Sequence, residues 1–254
     1  MASGMTKESG CKKQLRTTTR SHGQLLTDST LVSSAMASSS SRLAASLLDG
    51  VRVIEHANAR VDLAQAERAV GLLVRCRGRR YFTGVGKSGL AAARMASSLT
   101  SVGLASHFVH GAEWAHGELG GVRGGDVITA VSHSGATAEL LGLMQQLGHR
   151  HQHHHEQGSS RDGGGAVALL ALTGNPSSPI AQRADAAVTC AVPADAELIG
   201  LLPTASVLAA HHVFNALLTE CAAQLDLTPE HVSRAHPGGQ IAAALSGPPL
   251  ELPR

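Results

Sequence analysis

Two short stretches of this 254-residue chain carry residue types that hold an anion. In the first, YFTGVGKSGL, Gly84, Gly86 and Gly89 stand in Gly-x-Gly-x-x-Gly spacing around Lys87 and Ser88. Glycines let a backbone approach an anion closely, and a helix opening near Ser88 offers free N–H groups and a positive dipole end. Two nucleotide readings fail on the neighbouring residues. Tyr81 stands where a triphosphate loop needs a glycine, and the next strand ends Phe108-Val109-His110 where a dinucleotide turn needs an acid. A tight strand-to-helix turn without a ligand uses the same glycines. In the second stretch, SHSGATAE, Ser132, Ser134 and Thr137 surround Gly135. Three hydroxyls and turn amides can encircle one phosphate without a bulky cation. The plainer alternative is a helix capped by Ser134 or Thr137.

Both stretches follow strand-like runs, so the elements that position them come next. Leu47, Val51, Ile54, Ala57 and Val61 recur at helical intervals, and a second helix is predicted over residues 63–76. RYFTGV, ASHFVH, DVITAVS, AVALLAL and AAVTCAV read as five strands, with KSGLAAARMASSLTSVG and TAELLGLMQQL as helices between them. Strands alternating with helices argue for a parallel sheet covered on both faces, because parallel strands need crossovers that are usually helical. In such sheets ligands bind beyond the carboxyl ends of the strands, where both turns lie.

Residues 1–42 are rich in Ser and Thr and are expected to form a flexible tail. Lys12, Lys13, Arg16 and Arg20 hint at an organelle-targeting peptide, but Glu8 and Asp28 interrupt the acid-free pattern such peptides show. The run GHRHQHHHEQGSSRDGGG, residues 148–165, is expected to be a surface insertion whose imidazoles hold no fixed metal geometry. A net charge of +2 without a basic stripe, with one Trp, one Tyr and three Phe, disfavours nucleic-acid binding. Four widely spaced cysteines fit a reducing, cytoplasmic setting, and no apolar run approaches the ~20 residues that span a bilayer.

Taken in order, GVGKSGLAAARMASSL, FVHGAEWAHGELG, DVITAVSHSGATAEL, LTGNPSSPIAQRAD, GLLPTAS and HPGG resemble the sugar isomerase, or SIS, domain family, and within it the arabinose-5-phosphate isomerases. The resemblance covers residues 43–246 and leaves 247–254 as a C-terminal tail. It implies a flavodoxin-like three-layer α/β sandwich with a five-stranded parallel sheet, often assembled into homotetramers. The implied activity is interconversion of ribulose 5-phosphate and arabinose 5-phosphate through an enediol, with no redox cofactor and no essential metal. By motif match, Lys87, His116, Glu139 and His236 fall on active-site positions, and Ser88, Ser132, Ser134 and Thr137 on phosphate-holding ones. Imidazoles titrate near neutral pH and suit proton shuttling. His236 is therefore expected to transfer protons, with Glu139 as a base candidate. Taken alone, Glu139 also reads as a first-turn helix acid favoured by the dipole.

The chain departs from the family pattern in two places. Where the family carries Glu five residues before the Gly of GL-PT, this chain has Asp195, one methylene shorter, with Glu197 nearby. Where the family reads SNSGE, this chain reads SHSGA, so His133 replaces an amide. Bacterial members often continue into a paired CBS regulatory module, and this chain, ending at Arg254, is expected to act without it. A sensor that binds a phosphosugar without turning it over, and an isomerase of another sugar phosphate, are the alternatives. The sensor needs the phosphate turns but not the proton-transfer groups.

Overall fold

The computed structural model describes residues 29–157 and 166–236, with side chains described from Ser40 and not for residues 149–157. Five strands, β1 (Arg80–Gly84), β2 (Ser106–His110), β3 (Val127–Val131), β4 (Ala168–Thr173) and β5 (Ala186–Thr189), form one sheet in the order β2-β1-β3-β4-β5. Every pairing is parallel. β1 and β3 are buried along their whole length, as apolar strands covered on both faces must be.

Alternation along the strands sorts side chains between two layers. Phe82, Val127, Leu170, Leu172 and Val188 face the helices α2 (Leu63–Arg75), α3 (Gly86–Ser101) and α5 (Ala205–Gln224), with Val53 and Ala57 of α1 (Ser29–Asn58) joining the same cluster. Phe82 meets Phe214 of α5 edge to face at 5.8 Å. Tyr81 and Ile128 face the other way, onto Trp114 and the Leu143 and Leu147 side chains of α4 (Ala138–Gln157). A last helix, α6 (Pro229–Ala235), buries none of its residues. The expected three-layer α/β sandwich is thus the observed fold.

The elements differ from the sequence reading at three points. α1 starts at Ser29, inside the stretch expected to be a tail, because no Gly or Pro interrupts residues 29–49. Residues 1–28 lie outside the described residues. α4 runs on through Gln157, so the first ten residues of the expected surface insertion continue a helix, and residues 158–165 lie outside the described ones. A lone glycine, here Gly148, costs a helix about 1 kcal/mol and does not break it. Periodicity does not single out α5. That helix is apolar around much of its circumference, with Ala205, Ala209, Ala210, Val213, Phe214, Leu217 and Cys221 all buried.

The order 2-1-3-4-5 sets the functional geometry. The chain leaves β1 toward one edge of the sheet and leaves β3 toward the other, which opens a crevice between the turns that follow them.

Candidate functional site

The turn after β1 explains its three glycines by packing. Gly84 and Gly89 touch: a Cβ on Gly84 would sit 2.9 Å from the Gly89 nitrogen, and one on Gly89 would sit 2.9 Å from the Gly84 oxygen. Gly86 has φ 59°, the left-handed region that glycine enters without steric cost. The spacing is thus accounted for by how strand meets helix, and the anion capacity resides in the start of α3. There Lys87 is exposed and Ser88 half-buried at the crevice.

The turn after β3 is braced from several sides. Ser132, 2 % exposed, accepts the Gly135 N–H at 3.1 Å, and its hydroxyl lies 2.7 Å from that of Thr137. Ser134 accepts the Ala136 N–H at 3.2 Å. Gly135, at φ 63°, accepts the Ile180 N–H at 3.0 Å. The His133 carbonyl accepts the Gly174 N–H at 2.9 Å and the Thr173 hydroxyl at 3.3 Å. A Cβ at Gly135 would collide with Ser178, and one at Gly174 with the His133 imidazole, so two glycines let the chain after β4 close against the turn.

Thr137 opens α4, since the Leu141 N–H bonds its carbonyl at 3.0 Å, yet its hydroxyl turns to Ser132. The amides of Ala138, Glu139 and Leu140 have no partner among the described residues. Three hydroxyls therefore ring a helix start whose N–H groups are free, which is how a phosphate is held without bulky cations. Glu139 is exposed in the first turn of α4.

His116 closes a short 3-10 turn, Glu113–His116, that follows β2. The turn is pinned by Trp114, 3 % exposed, whose indole N–H donates to the Thr83 hydroxyl of β1 at 2.8 Å and whose ring meets Tyr81 edge to face at 5.6 Å. His116 itself is exposed. A shallow cleft, with room for about one water molecule, lies among Ser88, His133, Thr173, Cys190 and Ser206. Burial pushes the Cys190 thiol up to about 12, which keeps it protonated and unreactive.

Two sequence-named residues stand apart. Asp195 is exposed and makes no hydrogen bond among the described residues, whereas Glu197 is bound to the start of α5. Burial raises the Glu197 carboxyl, but hydrogen bonds from the Ser206 hydroxyl and from the Thr204, Ser206 and Ala205 amides outweigh it and hold it below the ordinary carboxylate range. Glu197 is thus committed where it stands.

His236 follows α6, with its Nδ1 2.8 Å from the Val232 carbonyl. Ser206, near the start of α5, lines the cleft, and the chain after α5 is tied to that helix's far end by the Leu227 N–H to Ala222 carbonyl bond. Among the described residues, no hydrogen bond joins His236 to the residues of the two turns. Pro237, Gly238 and Gly239 of the HPGG motif lie outside the described residues.

Sequence reasoning missed Trp114, Thr83, Ser178 and Ser206. Of these only Trp114, as the single tryptophan beside His116, carried a signal that could have been read.

An open parallel α/β domain with two anion-receptive turns at its switch point defines the class of this protein. Residues 73–154 match the SIS domain model, and this segment of the chain is an SIS domain. It is 35% identical over 170 residues to arabinose 5-phosphate isomerase KdsD of Salmonella typhi, across 67% of this chain and 47% of that one. It is 34% identical over 181 residues to KdsD of Pseudomonas aeruginosa, across 70% and 50%. The chain thus spans about half the length of the curated relatives it matches. The solved structure of the E. coli CFT073 protein c3406, in complex with arabinose 5-phosphate, superposes with a TM-score of 0.68 at 27% identity, covering 79% of this chain and 98% of that one. Among the described residues no helix is long and apolar enough to cross a membrane.

Proposed function

We propose that this protein is a sugar-phosphate aldose–ketose isomerase that interconverts D-ribulose 5-phosphate and D-arabinose 5-phosphate. The observation that carries the reading is the braced turn of Ser132, Ser134 and Thr137 at the start of α4, placed at the switch point beside Lys87 and Ser88. The relatives named above supply the choice of sugar. In the proposed reaction the phosphate sits on the hydroxyl-lined turn, which fixes the acyclic sugar along the crevice. A base removes the proton from the carbon beside the carbonyl, a second group moves a proton between O1 and O2, and the enediol is reprotonated on the neighbouring carbon. Lys87 offsets the negative charge that develops on oxygen, and Glu139 and His116 are the proton-transfer candidates on the crevice loops. Atoms and electrons balance within the sugar, so the reaction as written calls on no redox cofactor and no metal.

The same reading includes a homo-oligomer, with a tetramer as the form the family suggests. Leu47, Leu48 and Val51 on α1, and Ile199 and Leu201 in the loop before α5, are exposed apolar side chains that association would cover. In this reading His236 is a proton-transfer group, serving its own crevice or that of a neighbouring copy. A phosphosugar sensor is the second reading, favoured by the unpartnered, exposed Asp195. Chelator-treated protein with ribulose 5-phosphate in D₂O separates the two. Arabinose 5-phosphate carrying deuterium at C2 is the expected NMR result. Binding without product or label on a panel of pentulose and hexulose phosphates would refute the isomerase reading.

A further inference from the structure

The loop between β5 and α5 has a geometry that the phosphate turn does not require. Ile199 at φ 52° and Gly200 at φ 69° are consecutive residues in the left-handed region, where a β-branched side chain is a rare occupant. Ile199 and Leu201 are 82 % and 81 % exposed, so packing does not hold the loop in this shape. Hydrogen bonds accepted by Glu197 do. Its Oε2 accepts the Thr204 N–H at 2.6 Å, the Ala205 N–H at 3.0 Å and the Thr204 hydroxyl at 3.3 Å, and its Oε1 accepts the Ser206 N–H at 3.1 Å. The Thr204 oxygen in turn accepts the Leu198 N–H at 3.1 Å. One side chain reaches forward to the helix and the other reaches back to the loop, so the loop is closed at its base from both ends.

The two ends of this closure matter for the site. Asp195 lies two residues before Glu197, and Ser206 lines the cleft with Ser88 and His133. Glu197 also fills the start of α5 with an internal carboxylate, whereas the first amides of α4 stay free. Of these two helix starts, only that of α4 remains open to a substrate anion.

We propose that Glu197 is a positioning residue: it latches residues 197–204 to the start of α5, fixing the Ser206 wall of the cleft, and takes no part in proton transfer. A carboxylate that removed the sugar's proton would have to leave these bonds, and Oε2 already serves three donors. The proposal rests on the isomerase reading for its kinetic consequence.

Amide exchange by NMR and steady-state isomerisation of ribulose 5-phosphate, both on the whole protein, test it. Glu197→Ala is expected to speed exchange at Thr204, Ala205 and Ser206 and to lower kcat about tenfold while KM stays within about twofold, as lost orientation rather than lost binding requires. Glu197→Gln keeps an acceptor, and is expected to keep these amides protected and to recover most of the lost kcat. Unchanged exchange in Glu197→Ala, or faster exchange with unchanged kcat, overturns the proposal. So does a Glu197→Gln protein with protected amides that no longer labels C2 from D₂O, since that result assigns Glu197 to proton transfer. If the unmodified protein turns over no sugar phosphate, the isomerase reading fails instead, and the latch stands or falls on the amide exchange alone.

Discussion

Replacing Trp114 by Phe, Thr83 by Val, and both together measures the joint that holds the His116 turn to the sheet. Trp114→Phe keeps an aromatic edge on Tyr81 but leaves the fully buried Thr83 hydroxyl without the indole N–H that now donates at 2.8 Å. A buried hydroxyl left unpaired costs about 1–3 kcal/mol. The smaller ring adds about 1–2 kcal/mol for lost contact and residual cavity. Thr83→Val conserves shape but strands the indole N–H, again at about 1–3 kcal/mol. In the double variant no polar group is left unpaired, so only the volume loss remains. The two changes should therefore couple by the sum of the two unpaired-group penalties, about 2–6 kcal/mol, the double being less damaging than the sum of the singles. Urea unfolding followed by far-UV circular dichroism reads this, because Trp114 is the chain's only tryptophan and fluorescence is lost with it. Additivity to within about 0.5 kcal/mol would refute the bond as a coupled joint. Trp114→Phe should also depress kcat for ribulose 5-phosphate more than it changes KM, since His116 sits two residues away and the phosphate turn is untouched.

Four further outcomes are expected. Ser134→Ala combined with Thr137→Ala should weaken every phosphosugar by about 10- to 100-fold in calorimetry, the loss of two charge-assisted hydrogen bonds from a partly exposed site; unchanged affinity would remove the phosphate assignment. Gly135→Ala should cost about 2–4 kcal/mol in denaturant unfolding, because its φ of 63° disfavours a side chain and the new methyl meets Ser178 and Thr173; Ser178→Gly should return part of the loss. Glu197 is held below the ordinary carboxylate range in the folded chain, so its stabilising contribution is complete above the unfolded carboxyl's range and is lost as pH falls through the lower folded value. Acid unfolding should therefore show less pH dependence in Glu197→Gln than in the unmodified protein. His236→Ala should bind phosphosugar normally but turn over slowly, and mixing it with Lys87→Ala chains should restore activity if His236 works between copies; no recovery would count against that arrangement.

The sheet and the hydroxyl-lined turn after β3 were legible for the same reason. VITAV is almost wholly apolar, as burial on both faces favours, RYFTG buries Arg80 and Thr83 with hydrogen-bond partners, and the turns that follow β1 and β3 are local in sequence. Ser132, Ser134 and Thr137 lie within six residues, so one helix start gathers them. What the periodicity could not deliver was α5, whose apolar residues spread around the helix, or the end of α4, where a polar His-rich run looked like loop.

The sequence by itself determined the fold class, the turns that follow β1 and β3 and the identity of the residues around them, because these depend on local pattern and on the alternation of strand and helix. Tertiary structure decided which distant residues share a site. It showed that the Gly84 and Gly89 spacing serves backbone contact and that Thr83 anchors the His116 turn from another strand. It also showed that Gly174 and Ser178 close on the β3 turn and that Glu197 rather than Asp195 is held at α5. Most of these are relations between segments far apart in the chain, set by the order in which the strands pack and the length of the helix between them, and no single stretch of residues spells them out.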